Sequence, residues 1–367
     1  MHDFWQLLLT DYTLQVITLG TAILGALCGM LGSFAVLKKQ SLLGDAVAHA
    51  ALPGIALSFL IIGVKNSQML LVGALISGLI GAFWMRGIVT KTRLKTDTAL
   101  GLILSLFFGF GMLLLTFIQK LPNAQQSGLD KYLFGQAATL LKSDVQFLFV
   151  VFVAFVCLLL LFWKEFKIYT FDSAYTQTLG FHNKAIDTLL TSLIVVTIVL
   201  GLQSVGVILI SAMLLAPAAA ARQWTHRLEN MVILSGVFGV FSAIIGTVLS
   251  TRFSGVPTGP VIVIIAAILV WFSFVFSPKR GLLFRQIRRY KNRKELQVFK
   301  TLDLMYRIAL EHKTPHHPHH IQILNDFQGY SKSALKQLED QKLIKIESQQ
   351  WYLTKEGYQK AAKLFEK

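Results

Sequence analysis

Asp45 and His49 of this 367-residue chain have the residue types and the spacing to bind one metal ion between them. Four positions apart, they lie on one face of a helix with roughly 5 to 6 Å between their β-carbons, so one ion could touch both side chains. A carboxylate oxygen with an imidazole nitrogen suits manganese, zinc or ferrous iron better than calcium or magnesium, which prefer oxygen ligands. The pair therefore predicts a transition-metal site.

The pair falls in an apolar run, residues 42–62, that is long enough to cross a membrane. Ionisable side chains cost free energy inside a bilayer and usually face a pathway or a partner. We expect Asp45 and His49 to be the only ionisable groups inside any span. Asp45 stands about one turn into the run, where it could instead cap the helix or touch lipid headgroups. His49 lies deeper, ahead of Pro53 and Gly54.

The composition requires a membrane around these residues. Hydrophobic residues make up 54% of the chain and charged residues only 15%, and the mean hydropathy is +0.59, which excludes an ordinary water-soluble protein. Apolar runs of spanning length occur at residues 15–37, 42–62, 68–89, 98–118, 145–163, 186–203, 229–250 and 258–277. A shorter run at 206–222 is a ninth candidate. The sequence predicts an all-α polytopic membrane protein with eight or nine transmembrane helices.

Lysine and arginine residues cluster in alternate connections between these runs, provided that the short run also crosses the membrane. The clusters lie at residues 38–39, 86–95, 164–184 and 222–227, and from 279 onward. The positive-inside rule places such clusters in the cytoplasm. The N-terminus is then outside and the C-terminus cytoplasmic, and one end of this topology is wrong if the short run is re-entrant.

A second domain follows the apolar runs. The formal net charge is +16, and 19 basic and 9 acidic residues lie from Pro278 to the C-terminus. We predict a transmembrane domain at 1–278, a basic linker at 279–294 and a cytoplasmic domain at 295–367. The linker either lies along the anionic cytoplasmic leaflet, with membrane lipid as its partner, or is a solvated helix.

Helix, helix, turn, helix and a two-stranded hairpin follow one another in the tail, which is the order of a small α+β winged-helix domain. The segment 352–357 resembles the wing exit of bacterial winged-helix regulators, including the iron-dependent repressors. Lys332 and Lys336 could contact DNA phosphates from a recognition helix at 331–343. That helix also carries two acidic residues and no arginine, so a protein-interaction or dimerisation role is favoured over nucleic-acid contact.

Five of the nine histidines cluster in the tail, namely His312, His316, His317, His319 and His320. Clustered histidines can bind a metal, which would suit a cytoplasmic sensor. The prolines at 315 and 318 are equally typical of an exposed linker, which is the reading we slightly prefer.

The segment around Asp45 reads Gly44-Asp45-Ala-Val-Ala-His49-Ala-Ala-Leu-Pro53-Gly54 and resembles the permeases of ABC-type manganese, zinc and iron importers. Five further segments resemble that family in its order. They are Asp97–Gly101, Leu133–Gly135, Asp172–Gly180, a region from Val205 to Pro217 and Pro257–Pro260. The resemblance covers roughly residues 10–277.

The resemblance implies a helical permease in the bacterial cytoplasmic membrane that dimerises, with the same or a paralogous chain, around a central pathway. Asp45 and His49 would line this pathway for the transported metal, with no permanently bound cofactor. An extracytoplasmic metal-binding protein would deliver the metal, and a cytoplasmic ATP-binding subunit would drive transport. By resemblance, the ATPase-coupling helix comprises Asp172, Ser173, Ala174, Tyr175, Leu179 and Gly180.

No phosphate-binding loop of the pattern G-x-x-x-x-G-K-[ST] occurs in the chain, so ATP hydrolysis must come from another subunit. We therefore expect a transporter subunit and not an enzyme. Two alternatives remain at this point. One is an ion-coupled secondary metal transporter, and the other is a membrane-anchored, metal-responsive regulator that acts through the winged helix.

Overall fold

Each long apolar run becomes a helix in the computed structural model, which describes residues 11–64, 66–121, 140–252, 256–311, 317–325 and 332–365. The chain divides into two units, Met1–Gly281 and Leu282–Lys367. The helices of the first unit are α1 (Tyr12–Leu37), α2 (Leu43–Ile62), α3 (Ser67–Lys91), α4 (Thr96–Gln119), α5 (Lys142–Leu161), α6 (Trp163–Phe171), α7 (Ser173–Thr178), α8 (Asn183–Val205), α9 (Val207–Trp224), α10 (Leu228–Arg252) and α11 (Thr258–Phe276).

Eight helices of the described part of the chain are long and apolar enough to span a bilayer, namely α1 to α5, α8, α10 and α11. The short run predicted at 206–222 is α9, whose 18 residues correspond to a length of about 27 Å. Pro217 lies inside α9. The number of spanning helices therefore depends on where the two ends of α9 lie.

Polar contacts bring one set of helix ends together at what we call the basic end of the bundle. Asp187 at the start of α8 binds Lys38, which follows α1, at 2.5 Å and Arg86 near the end of α3 at 3.1 Å. On the same side, Lys167 of α6 pairs with Glu229 at the start of α10. The connection between α9 and α10 must therefore also lie at this end.

The end of α9 has its own contacts there, because the Ser277 hydroxyl beyond α11 donates to the carbonyl of Gln223. Gly206 joins α8 to α9 at the opposite end. Since α8 runs away from the basic end and α9 returns to it, α9 traverses the bundle. The first unit thus contains nine traversing helices in the described residues, and all the predicted basic connections lie at one end.

Small residues let α1 and α10 approach closely, since they leave room for contact between the two backbones. A β-carbon at Gly29 of α1 would stand 2.2 Å from the carbonyl oxygen of Ser235 in α10. The Ser33 and Ser235 hydroxyls hydrogen-bond at 2.7 Å in the same seam. By contrast, Gly101 and Gly109 of α4 face open space, so these two glycines contact no neighbouring helix of the described chain.

The prediction that Asp45 and His49 are the only ionisable groups inside a span is wrong. Arg86 lies within α3 and Asp187 within α8, and their side chains are only 23% and 14% exposed. Arg86 also donates to the Thr188 hydroxyl at 2.6 Å. A charged group near a span end is tolerated here because an opposite charge and further hydrogen bonds compensate for its lost hydration.

The second unit begins with a long helix and contains a small sheet. Its elements are α12 (Leu282–Leu310), β1 (His319–His320), α13 (Ile321–Asn325), α14 (Lys332–Asp340), β2 (Ile344–Glu347), β3 (Gln350–Leu353) and α15 (Lys355–Phe365). The sheet is antiparallel with strand order β1-β3-β2. Leu302, Met305, Leu338 and Trp351 lie in its hydrophobic core.

The observed elements follow the order predicted for the tail, with one short strand added before α13. Residues 282–294 of the predicted basic linker are helical and continue without a break into the residues that pack in the core. The winged-helix assignment stays a prediction. Ser331, predicted as the cap of the recognition helix, lies outside the described residues, and α14 ends at Asp340.

The Asp187 cluster leads to a prediction about stability. Asp187→Asn should lower the free energy of unfolding by about 2 kcal/mol, because Lys38 and Arg86 would then face each other without a counter-charge. Glu229→Gln is the matched control, since the pair of Lys167 and Glu229 is 40% or more exposed and should contribute less than about 1 kcal/mol. Thermal denaturation in detergent measures both, and equal melting temperatures for the two variants would contradict the prediction.

Candidate functional site

Asp45 and His49 are the two residues between 43 and 56 that α2 does not bury. All other residues of this stretch are covered by neighbouring helices. The β-carbon of a residue at position 44 would touch Ser211 of α9, and one at position 54 would meet the carbonyl of Gly73 in α3. The two predicted ligands therefore form the open strip within residues 43–56 of α2, which are otherwise enclosed.

The strip lies near the middle of the bundle. Ser77 of α3 donates its hydroxyl to the carbonyl of Ala50, the residue after His49, at 2.6 Å. Ser77 is the eleventh of the 25 residues of α3, so His49 is level with the centre of that helix. Asp45 is in the first turn of α2, but this turn begins inside the bundle, against Ser211. The first turn of α2 therefore packs against α9 within the bundle.

The imidazole of His49 packs against an aromatic ring, and one of its nitrogens has no hydrogen-bond partner among the described residues. Its ring meets Phe108 of α4 edge to face, with 4.8 Å between the ring centroids. Nδ1 is buried and has no hydrogen-bond partner among the described residues. Asp45 interacts electrostatically with this ring from one turn away. An imidazole nitrogen beside a carboxylate is a suitable donor set for a transition metal.

Pro53 removes one backbone hydrogen bond from α2 one turn after His49. Proline lacks the N–H that would bond to the carbonyl four residues earlier, and here that residue is His49. The ring of Pro53 packs within 3.2 Å of the β-carbon position of Gly111 in α4. The His49 carbonyl is thus freed from the regular helix pattern beside the imidazole.

The chain supplies few ligands at this strip. No group of three or more His, Cys, Asp or Glu side chains that could hold a metal occurs in the described part of the chain. The open strip lies beside the face of α4 on which Ser105, Phe108, Gly109 and Met112 are exposed. The described residues therefore place at most two side chains of these types together at the strip.

The predicted coupling residues form a short helix, α7, with defined caps at both ends. Asp172 is the N-cap, and its carboxylate accepts from the N–H groups of Ala174 and Tyr175 at 3.0 and 2.9 Å. Gly180 has a positive φ of 82°, and the N–H groups of Gly180 and Phe181 bond to the carbonyls of Gln177 and Thr176. This is a Schellman ending, which favours glycine.

Almost all of this segment is exposed. Thr176 is buried, whereas Asp172, Ser173, Ala174, Leu179 and Gly180 are exposed. Tyr175 and Leu179, one turn apart, are 54% and 46% exposed and form a small apolar surface. A capped helix that presents tyrosine and leucine to solvent can serve as a binding surface for another protein.

Helix α6 fixes the coupling segment to the bundle. Phe166 is fully buried and packs edge to face on Phe34 of α1, with 6.1 Å between the ring centroids. Tyr169 donates its hydroxyl to Asp187, and the Lys38 ammonium lies 4.7 Å from the Tyr169 ring centroid. Burial, and then the negative charge of Asp187, raise the pKa of Tyr169 well above its usual value, so the phenol stays a proton donor.

Sequence reasoning missed the residues that support the site. Phe108 gave no signal, because an aromatic residue in an apolar span is ordinary. Arg86 and Asp187 did give one, since each is a charge inside a predicted span. Pairing them required the end of α3 to meet the start of α8, about 100 residues later, and spacing along the chain does not contain that information.

The tail residues do not converge on one site in the described structure. Lys332 and Lys336, the predicted DNA contacts, are exposed on α14. They lie four residues apart and therefore on the same face of this helix. His319 is buried in β1, with its ring 4.9 Å from that of Trp351, while His320 is exposed. Neighbouring strand residues point to opposite faces of a sheet. The ring centroids of His317 and His319 are 5.3 Å apart. His312 and His316 lie outside the described residues.

Known proteins resemble this chain over most of its length. Residues 10–277 match the model of the ABC 3 transport family. The zinc transport system membrane protein TroC of Treponema pallidum is 48% identical over 289 residues, which cover 79% of this chain and 97% of TroC. The manganese transport system membrane protein MntC of Bacillus subtilis is 40% identical over 351 residues, which cover 94% of this chain and 80% of MntC.

A solved structure agrees with the helical bundle described above. It is described as PsaBC from Streptococcus pneumoniae in complex with Fab and superposes with a TM-score of 0.67 at 32% identity. The superposition covers 78% of this chain and 99% of that one. The match to MntC, at 351 residues, extends beyond the first unit and into the second.

The C-cap of α7 gives a prediction that concerns the coupling segment alone. Gly180→Ala should strain the left-handed residue by about 1 to 2 kcal/mol, so the amides of residues 172–181 should exchange hydrogen faster. Gly87→Ala is the control, because a β-carbon there meets nothing within 4 Å and the φ of Gly87 is not positive. Hydrogen exchange measured by mass spectrometry checks this, and unchanged exchange in 172–181 would contradict it.

Proposed function

Because the chain belongs to the ABC 3 transport family, we propose that it is the membrane-spanning permease subunit of an ATP-driven importer for a divalent transition metal. The observation that carries the proposal is the strip of Asp45 and His49. It is the one open place between 43 and 56 on α2, near the middle of a bundle of traversing helices. An ionisable pair at that depth is expected to face a transport pathway.

The cargo is a metal that accepts mixed oxygen and nitrogen ligands, and no cofactor is permanently bound. Relatives named as zinc and manganese transport proteins support this class, and manganese, zinc and ferrous iron all suit a carboxylate with an imidazole. Two side chains and a freed carbonyl hold such an ion weakly. Weak binding is appropriate for a conducted ion, which must leave the site as readily as it enters.

A second permease subunit, either another copy or a paralogue, would close the pathway. In a single chain the strip is open on one side, next to the exposed face of α4. An ion there would meet lipid, in which its hydration could not be replaced. A partner that covers this face would enclose the ion and supply further ligands.

The basic end of the bundle is assigned to the cytoplasm of a bacterial cell by the positive-inside rule. The first residues of α1 are then extracytoplasmic, and α11 ends in the cytoplasm together with the C-terminal unit. An extracytoplasmic metal-binding protein would deliver cargo to the opposite end. The exposed segment α7 lies at the basic end, where a cytoplasmic ATP-binding subunit could dock on Tyr175 and Leu179.

ATP hydrolysis is assigned to that separate subunit, since the 367 residues contain no phosphate-binding loop. An ion-coupled secondary transporter would not need an exposed, doubly capped helix at its cytoplasmic face, so the geometry of α7 favours the ATP-driven reading. The C-terminal unit is proposed as a winged-helix module for protein interaction. The acidic Glu339 and Asp340 beside Lys336 weaken the case for DNA contact.

Uptake by the reconstituted complex tests the metal ligands. Asp45→Ala and His49→Ala should each reduce initial uptake of the transported metal at least about tenfold, because losing one of two side-chain ligands costs 1.4 kcal/mol or more of ion stabilisation. Uptake of manganese, zinc and iron should be measured separately for the wild type and both variants.

His226→Ala is the control for the histidine, because His226 is exposed at the basic end and bonds to Arg280. Its uptake should match the wild type. If both ligand variants retained full uptake of every metal, the assignment of Asp45 and His49 as pathway ligands would be refuted.

Binding of the ATP-binding subunit tests the coupling assignment. The double variant Tyr175→Ala and Leu179→Ala should bind that subunit roughly 30-fold more weakly, since an exposed aromatic anchor at an interface typically contributes about 2 kcal/mol. Affinity is measured with both proteins purified in detergent.

Ile61→Ala is the matched control, because Ile61 is equally apolar and highly exposed but lies at the opposite end of the bundle, at the end of α2. It should bind the ATP-binding subunit normally.

Deleting 172–180 without loss of uptake would instead favour a secondary transporter. A protein truncated after Pro278 that retains full uptake would exclude gene regulation as its main role.

A further inference from the structure

The first half of α12 is amphipathic, and its apolar side is uncovered. Leu283, Ile287 and Tyr290 follow one another at helical spacing on one face and are 42%, 62% and 65% exposed. Arg285 and Arg289 point to the other side of the helix, since they stand about half a turn away. Residues 282–294 contain six basic residues and no acidic one. We call this stretch the basic amphipathic segment.

The same helical stripe is covered further along α12. Leu302, Met305 and Ala309 continue it and are buried in the core of the second unit. One helix thus carries a single apolar stripe. The second half of the stripe packs in the core of the unit, and the first half packs against none of the described residues of that unit. An exposed apolar stripe sustained over about two turns indicates a surface that something else covers.

Either a second copy of this helix or a membrane surface could cover the exposed apolar side, and the charge of the segment decides between them. A second copy of this helix would bring another six positive charges against the first six, and such like charges repel across an interface. An anionic membrane surface would instead attract each basic residue while its interfacial region takes up the apolar side chains. Only five residues, 277–281, separate the membrane-spanning α11 from α12, so the segment begins within about 18 Å of the span.

We propose that the basic amphipathic segment lies in the plane of the membrane surface and binds anionic phospholipid. Leu283, Ile287 and Tyr290 enter the boundary between headgroups and acyl chains, and the basic side chains extend to the phosphates. Lys294 already lies over the Tyr290 ring at 4.9 Å from its centroid. This arrangement places an ammonium and a phenol at the level where headgroups meet water. The segment would thereby tether the C-terminal unit to the leaflet.

Spin labels on the full chain in lipid nanodiscs test the proposal directly. Cys28 and Cys157 are first replaced by alanine, and a single cysteine is then introduced by Ile287→Cys or, on the opposite face, by Asn292→Cys. Labels are compared in phosphatidylcholine and in phosphatidylcholine mixed with phosphatidylglycerol. Collision with oxygen reports the membrane interior, and collision with a water-soluble nickel complex reports solvent.

In anionic nanodiscs the label at 287 should collide more with oxygen and less with nickel than the label at 292. The difference should shrink in pure phosphatidylcholine and at high salt, because the attraction is electrostatic. Equal nickel accessibility at 287 and 292 in both lipids would overturn the proposal. Protection of 287 from both oxygen and nickel, independent of lipid, would also overturn it, because that result indicates a protein contact.

A charge variant separates lipid attraction from helix structure. Arg288→Gln and Arg289→Gln together should reduce the shift at 287 between neutral and anionic nanodiscs. Lys332→Gln and Lys336→Gln on α14 remove the same charge from exposed positions of the same unit and should leave the shift unchanged. An equal loss of the shift in both double variants would contradict a role specific to the basic amphipathic segment.

Discussion

The close packing of α2 is the constraint on which the rest of the membrane unit depends. Small residues bring α3 and α9 into backbone contact with it at Gly54 and Gly44, and α4 packs against Pro53. In a bilayer, helices associate through such shape complementarity because lipid chains are as apolar as the side chains they replace. The consequence is that residues 43–56 of α2 leave one open strip, on which Asp45 and His49 lie.

The same packing sets the depth of the strip. Because α2 starts inside the bundle and not at its surface, a carboxylate in the first turn of the helix is carried toward the centre. The charge clusters lie instead at the basic end, where Asp187 joins the ends of α1 and α3 to the start of α8 and, through Tyr169, to α6. One carboxylate therefore links four elements next to the exposed segment α7. Because α6 continues directly into α7, the ion pairs and hydrogen bonds of Asp187 would oppose a movement of α7.

The two units show different relations between sequence pattern and burial. In the membrane unit, exposed leucine and phenylalanine side chains on α4 and α5 are expected because lipid solvates them. In the C-terminal unit, which has a core around Trp351 and Met305, an exposed apolar side chain lies outside the predicted spans, so solvation by the bilayer interior does not explain it. This contrast is why Ile287 and Tyr290 point to a binding surface, whereas equally exposed residues in α5 do not.

The sequence by itself determined the ends of the long helices of the membrane unit to within three residues, since each needs about 20 apolar residues and each run is bounded by polar ones. It also singled out Asp45, His49 and the 172–180 segment, because motif residues are local in the chain. Only the tertiary structure decided that α9 traverses the bundle, that the first turn of α2 packs against α9, and that Arg86 and Asp187 form an ion pair. These facts depend on which helix ends and faces meet, and contacts between residues 50 to 150 positions apart leave no local pattern in an apolar sequence.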